Sequence, residues 1–150
     1  MVAGEGTDTN CERTKAGGII SHLRKEFDEP LISERKLLAR QLLDGATHET
    51  INEPVMNFFE DMGMLLRRGF LDRDMLWDTF SYYARMWWTA CRDYIATERS
   101  NLHDATLFAD FDWLAEQIAE DDVRKRGRTI AEIEPSALDL RAFLEGEAGL

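Results

Sequence analysis

In a chain of 150 residues, 29 Asp and Glu outnumber 18 Lys and Arg, leaving a formal charge of −11 at pH 7. With 44% hydrophobic residues and only three prolines, the composition excludes a disordered tail, a collagen-like fibre and a disulfide scaffold. The length suits one domain that closes its own core. The acidic excess argues against direct nucleic-acid binding, which needs a basic footprint to displace counterions from phosphates.

Residues 1–16 are Gly, Thr and charge with little apolar content, and are expected to form a flexible N-terminal tail ahead of a single helical domain over 17–150. The N-terminus lacks the basic and apolar regions of a signal peptide. No segment reaches the ~20 apolar residues of a membrane span, so the expectation is a cytoplasmic protein. Cys11 and Cys91 form no CxxC pair, and Cys91 reads as a small core hydrophobe.

The stretch from Gly17 to Leu23, leading to Phe27, reads as a short helix. Asp28-Glu29-Pro30 then resembles a helix entrance, with an acidic cap and a proline in the first turn. Leu31, Ile32, Arg35, Leu38, Ala39 and Leu42 follow at helical spacing up to Gly45. A polar link with Thr47, His48 and Thr50 separates this from a second entrance, Asn52-Glu53-Pro54. Val55, Phe58, Phe59, Met62, Leu65 and Leu66 make the next stripe, ended by Arg67-Arg68-Gly69.

Asp72 is placed to cap a third long helix over roughly 73–98, whose apolar side chains fall within about 60° of one line. Trp77, Phe80, Tyr83, Trp87 and Tyr94 share that face, Trp88 flanks it and Tyr82 lies opposite. A fourth helix is expected from near Asp104, with His103 and Asp104 at its start and Leu107, Phe108, Phe111, Leu114, Ala115 and Ile118 facing inward. Glu134-Pro135-Ser136 introduces a short last helix bearing Leu138, Leu140, Phe143 and Leu144. The fold class is therefore all-α, a helical bundle of four main helices with shorter N- and C-terminal helices.

The run Phe59-Glu60-Asp61-Met62-Gly63 followed by Arg68-Gly69-Phe70-Leu71-Asp72 resembles the centre of an uncharacterised bacterial all-helical family, a domain of unknown function. Tyr83, Trp87, Tyr94-Ile95, Arg99 and Phe111-Asp112-Trp113-Leu114-Ala115 continue the likeness, which covers about residues 28–120. The resemblance implies relatives that often carry the domain behind an N-terminal membrane helix, which this chain is expected to lack. The resemblance brings no activity and no catalytic residues.

The candidate chemistry is sparse. His22, His48 and His103 show none of the three- or four-residue spacings that let ligands meet on one helix face, so no metal is expected. Asp72-Arg73-Asp74 lacks the alternating oxygen ligands of a calcium loop. There is no phosphate-binding glycine loop and no nucleophile elbow, and no cofactor is expected.

Arg35 sits within an apolar stripe, where its stem can lie on the core and its head fork to a carboxylate; Glu60, Asp61 and Asp112 are possible partners. Arg99 invites the same reading as a buried ion pair. Asp112, Glu116 and Glu120 recur every four residues, an acidic row rising about 6 Å per step, close to the phosphate spacing of a nucleic-acid strand. The basic run Arg124-Lys125-Arg126-Gly127-Arg128 follows and complements a helix C-terminus.

Trp88, Trp113, Tyr82 and Met86 fall outside the main aromatic stripe and suggest a second packing surface. The leading reading is a non-enzymatic helical interaction or regulatory module with a protein partner or a homodimer, using these four residues as interface. The alternatives are an acidic nucleic-acid mimic that inhibits a DNA- or RNA-binding protein, and a small enzyme whose site assembles from dispersed polar residues.

Overall fold

The computed structural model describes residues 5–46 and 50–150, with side chains from Gly17 onward. The chain folds into α1 (Glu5–Asp28), α2 (Ile32–Leu43), α3 (Pro54–Arg67), α4 (Arg73–Leu102), α5 (Ala109–Arg126), α6 (Ile130–Ile133) and α7 (Ala137–Ala148). No strand occurs among the described residues, so the all-α class stands. Because α1 begins at Glu5, helical backbone runs through most of the segment read as a tail. Residues 1–4, and Thr47 and His48 of the polar link, lie outside the described residues.

Local chemistry explains the helix ends. Pro54 opens α3, where a missing N–H leaves no bond unmade. The Asp72 carboxylate accepts from the Met75 amide at 2.9 Å and caps α4. After α3 and α5 the chain turns through Gly69 (φ 81°) and Gly127 (φ 64°), a left-handed conformation that glycine adopts without a Cβ clash.

Two entrances differ from expectation. Neither Asp28 nor Glu29 caps α2, which starts at Ile32 with no side-chain cap; Asp28 instead pairs with Arg24 one turn back at 2.7 Å. His103 and Asp104 do not start the fourth helix. His103 ends α4 in the left-handed region (φ 50°), and α5 begins only at Ala109. The His103-Asp104 pair resembles a helix entrance in sequence because caps and left-handed ends recruit the same polar residue types.

The core is aromatic. Phe27 of α1 lies 5.5 Å from Phe58 and 5.7 Å from Phe80, and Phe59 stacks on Phe111 at 5.2 Å. Such pairs add about 0.5–1.5 kcal/mol each beyond the area they bury. Phe80, Trp87, Cys91 and Ile95 of α4 are fully enclosed, with Trp77, Tyr83 and Tyr94 packed partly against them. The Tyr94 hydroxyl donates to Glu53 at 2.9 Å, tying α4 to the start of α3.

One face of α3 fixes its crossing with α5. Glu60, Gly63 and Arg67 stand one turn apart. The Glu60 carboxylate accepts from the amides of Asp110 (3.2 Å) and Phe111 (2.8 Å), closing the open N-terminus of α5. Arg67 forks onto Asp110 at 2.9 and 3.2 Å. Between them Gly63 touches the α5 backbone, and a Cβ there would overlap the Asp110 carbonyl, 2.7 Å from its carbon. Gly to Ala inside a helix ordinarily stabilises by about 1 kcal/mol, but here backbone meets backbone and neither can yield. Gly63→Ala is expected to destabilise the fold by about 1–3 kcal/mol in denaturant unfolding. A gain in stability would mean that α3 and α5 are further apart than described.

Candidate functional site

Among the described residues, the buried charged ones are Arg35 of α2, Asp121 and Asp122 of α5 and Glu147 of α7. Arg35 of α2 and Glu147 of α7, with side chains 5% and 6% exposed, form the most enclosed ion pair among the described residues. Arg35 donates from Nε to one Glu147 oxygen at 2.8 Å and from Nη2 to the other at 2.9 Å. Its remaining nitrogen, Nη1, donates to the Phe27 carbonyl at 3.0 Å. The guanidinium lies 3.9 Å from the centre of the Phe27 ring and 5.4 Å from that of Tyr83. Aromatic faces, a carbonyl and a forked carboxylate together satisfy a cation that could not otherwise be buried. Arg35 is paired and buried, and its partner is Glu147 rather than Glu60, Asp61 or Asp112. Glu60 instead caps α5, Asp112 meets Arg99, and Asp61 is exposed.

A second cluster joins α4 to α5. Asp121 and Asp122 are almost wholly buried. Asp121 accepts from Arg73 at 2.7 and 2.9 Å and from Arg124 at 3.0 Å. Its hydrogen bond holds the Arg73 guanidinium above its ordinary pKa. Asp122 accepts from Trp77 Nε1 at 2.7 Å and from Arg85 at 2.6 Å, with Arg126 at 3.8 Å. Trp77 is flanked in turn by Lys125 (4.4 Å) and Arg126 (5.3 Å). The acidic calcium-like pair is also explained: Asp72 caps, and Lys125 holds Asp74 at 2.8 Å, lowering its pKa. Among the described residues no three His, Cys, Asp or Glu side chains come together as metal ligands.

The residues singled out by sequence do not form one surface. Met86 is buried in the core, and Trp88 packs edge-on to Phe111 at 5.1 Å. Trp113 is half-buried on α5. Tyr82 is 58% exposed. Arg99 donates to the Leu107 carbonyl at 2.7 Å and to Asp112 at 3.2 Å, a half-buried pair that pins the loop before α5. Asp112 is thus engaged, whereas Glu116 and Glu120 stay exposed. His22 and His103 are exposed, and burial pushes the Cys91 thiol pKa up, keeping it protonated.

An open cleft of about 630 Å³ runs between α4 and the α6–α7 segment. Tyr82, Tyr83, Met86 and Phe143 supply its aromatic and apolar lining, and Arg85, Arg126 and Arg128 its cations. Arg35 and Glu147 also reach its wall. The Tyr82 ring sits edge-on to Tyr83 at 5.5 Å and to Phe143 at 5.8 Å. A smaller recess of about 140 Å³ lies beyond α6, between Trp88 and Thr89 of α4 and Ala115 and Ala119 of α5. Arg85, Ile133, Glu134 and Pro135 line both, so α6 and Pro135 form a strap between two hollows.

Removing one partner of a buried, hydrogen-bonded pair strands the other. Glu147→Gln is therefore expected to cost about 3–5 kcal/mol in chemical denaturation, and Arg35→Met/Glu147→Leu to recover most of that loss. A loss below about 1 kcal/mol, the range of solvent-exposed pairs, would show the site to be hydrated rather than enclosed.

No helix among the described residues is long and apolar enough to cross a membrane. No curated protein matches the chain, and no solved structure does. A family model does match, over residues 19–118, from within α1 to Ile118 of α5, and leaves the last turns of α5, the strap and α7 outside. The chain belongs to the family described as Domain of unknown function (DUF4760).

Proposed function

We propose that this chain is a non-enzymatic helical interaction module whose recognition surface is the cleft between α4 and the α6–α7 segment. The observation that carries this reading is Tyr82, 58% exposed at the mouth of an open cleft. A large, rigid aromatic side chain with a polar tip, beside open space, is the residue type that most often anchors an interface. Partial burial raises the hydroxyl pKa still further above neutrality, and the group stays a neutral donor and acceptor.

The charge around Tyr82 specifies the ligand. Arg128 makes no ion pair among the described residues, and Arg126 reaches Asp122 only at 3.8 Å. The nearby carboxylates are engaged: Glu132 accepts from Thr129, and Asp139 completes the α7 capping box with Ser136. The free Arg128 guanidinium, with the loosely held Arg126 nearby, beside an aromatic lining suits a peptide segment carrying an apolar side chain next to a carboxylate. Ion pairs already hold Arg35, Arg85, Asp122 and Glu147, which suits recognition better than proton transfer.

Selection of random displayed peptides against the chain tests this. Enriched sequences are expected to place an aromatic or aliphatic residue beside Asp or Glu, and to lose about tenfold or more in affinity for Tyr82→Ala, the loss typical of an anchor residue. Enrichment of basic peptides, or equal binding to Tyr82→Ala and the parent chain, would contradict it.

A further inference from the structure

Beyond α5, the chain supplies its own occupant for a site that the rest of the bundle builds. Phe27, Arg35 and Tyr83 all lie within the family-matched residues 19–118, and Glu147 lies outside them. Without α7 the arginine would keep its aromatic faces and the Phe27 carbonyl, and would present Nε and Nη2 to whatever carboxylate arrives. We propose that this is a receptor for a carboxylate carried on an amphipathic helix, that α7 is its internal ligand, and that a partner helix of the same pattern takes α7's place. The inference rests on reading the α4 wall of the cleft, with Tyr82 and Tyr83, as the recognition surface, and it adds what is recognised and what keeps the site closed.

The pattern is read from α7 itself. Its three buried side chains are Phe143, Leu144 and Glu147: two adjacent apolar residues, then a carboxylate three positions later. Phe143 packs edge-on to Trp87 at 5.3 Å, and Glu147 reaches Arg35. Leu140 and Ala148 add partly buried contacts on the same side of the helix, while Leu138 is 78% exposed. A partner helix needs that apolar face and the carboxylate together to compete.

The way α7 is attached suits departure as a unit. Ser136 and Asp139 form a reciprocal capping box, so the first turn is closed without help from the other helices. The strap that leads to it has Ile133 as its one buried side chain and an Arg92–Glu134 pair with both partners nearly half exposed. Exposed pairs of that kind hold weakly. Gly127 turns the chain in the left-handed region just before the strap, between the bundle and the latch.

The test uses the full chain and a fluorescent peptide of residues 136–150, followed by anisotropy. Wild-type chain is expected to bind it weakly, because α7 competes from within. Chain carrying Glu147→Gln is expected to bind it about tenfold or more tightly than wild type, as loss of a buried charge pair loosens the internal competitor. The same peptide carrying Glu147→Gln should bind at least about tenfold worse than its parent. Should Glu147→Gln fail to fold, Arg92→Ala/Ile133→Ala loosens the strap while leaving Arg35 and Glu147 intact, and should show the same gain. Equal affinity of the two peptides, or no binding to either variant, overturns the proposal. Displayed peptides that depend on Tyr82 yet are not displaced by the α7 peptide would overturn it while keeping the cleft reading. Binding of the α7 peptide with no Tyr82-dependent displayed sequence would do the reverse.

Discussion

A guanidinium cannot be enclosed in a protein unless its hydrogen bonds and its charge are both met, and Arg35 sets that requirement at the point where α1, α2, α4 and α7 converge. The Phe27 carbonyl and ring and the Tyr83 ring meet part of it; the Glu147 carboxylate meets the rest. The penalty for taking two charges out of water is several kcal/mol per ion even after relaxation, so such a pair adds little net stability. Its effect is on register. α7 lays Leu140, Phe143, Leu144 and Ala148 against the core, and the fork between Arg35 and Glu147 selects one placement among those that hydrophobic contact alone would accept.

The same economy recurs at the α4–α5 crossing. Asp121 and Asp122 are buried at adjacent positions and look to Arg73 on one side and to Trp77 and Arg85 on the other. The aromatic core supplies the larger driving force, since each buried Phe or Leu is worth about 1.5–3 kcal/mol. The charged pairs decide which rotation of α5 brings those aromatics together. The acidic excess of −11 thus divides into distinct parts. Some carboxylates cap helices, as Asp72 and Glu60 do; some are buried latches, as Asp121, Asp122 and Glu147 are; others, such as Glu116 and Glu120, remain on the outer face of α5.

Much of the fold is legible in the sequence because helices announce themselves locally. Pro54, Asp72, Gly69 and Ser136 act over three or four residues, and the α4 stripe from Trp77 to Ile95 shows its period directly. The buried position of Arg35 is legible on the same ground, since it interrupts an apolar stripe. Its partner is not, because 112 residues separate it from Glu147 and a pair across two helices leaves no periodic trace. Asp121 and Asp122 carry a signal in the sequence. They continue the three-and-four spacing of Phe111, Leu114, Ala115 and Ile118, which places two carboxylates on the buried face rather than among the outer acids. The aromatic residues outside the main stripe were harder. Trp88 and Met86 turn inward because α5 and α7 cover α4 from different sides, and only the tertiary arrangement shows that Tyr82 alone of the four is substantially exposed.

If the helices through α5 form the receptor and α7 its internal ligand, α7 must be the part of the molecule that opens first. Native-state hydrogen exchange resolved by residue measures this directly. The α7 amides are expected to exchange through a sub-global opening with a small denaturant dependence, at lower free energy than the amides of α3 and α5, where Gly63 and Phe111 lock two helices together. Exchange of α7 only through global unfolding, with the same free energy and denaturant dependence as α3 and α5, would contradict the account.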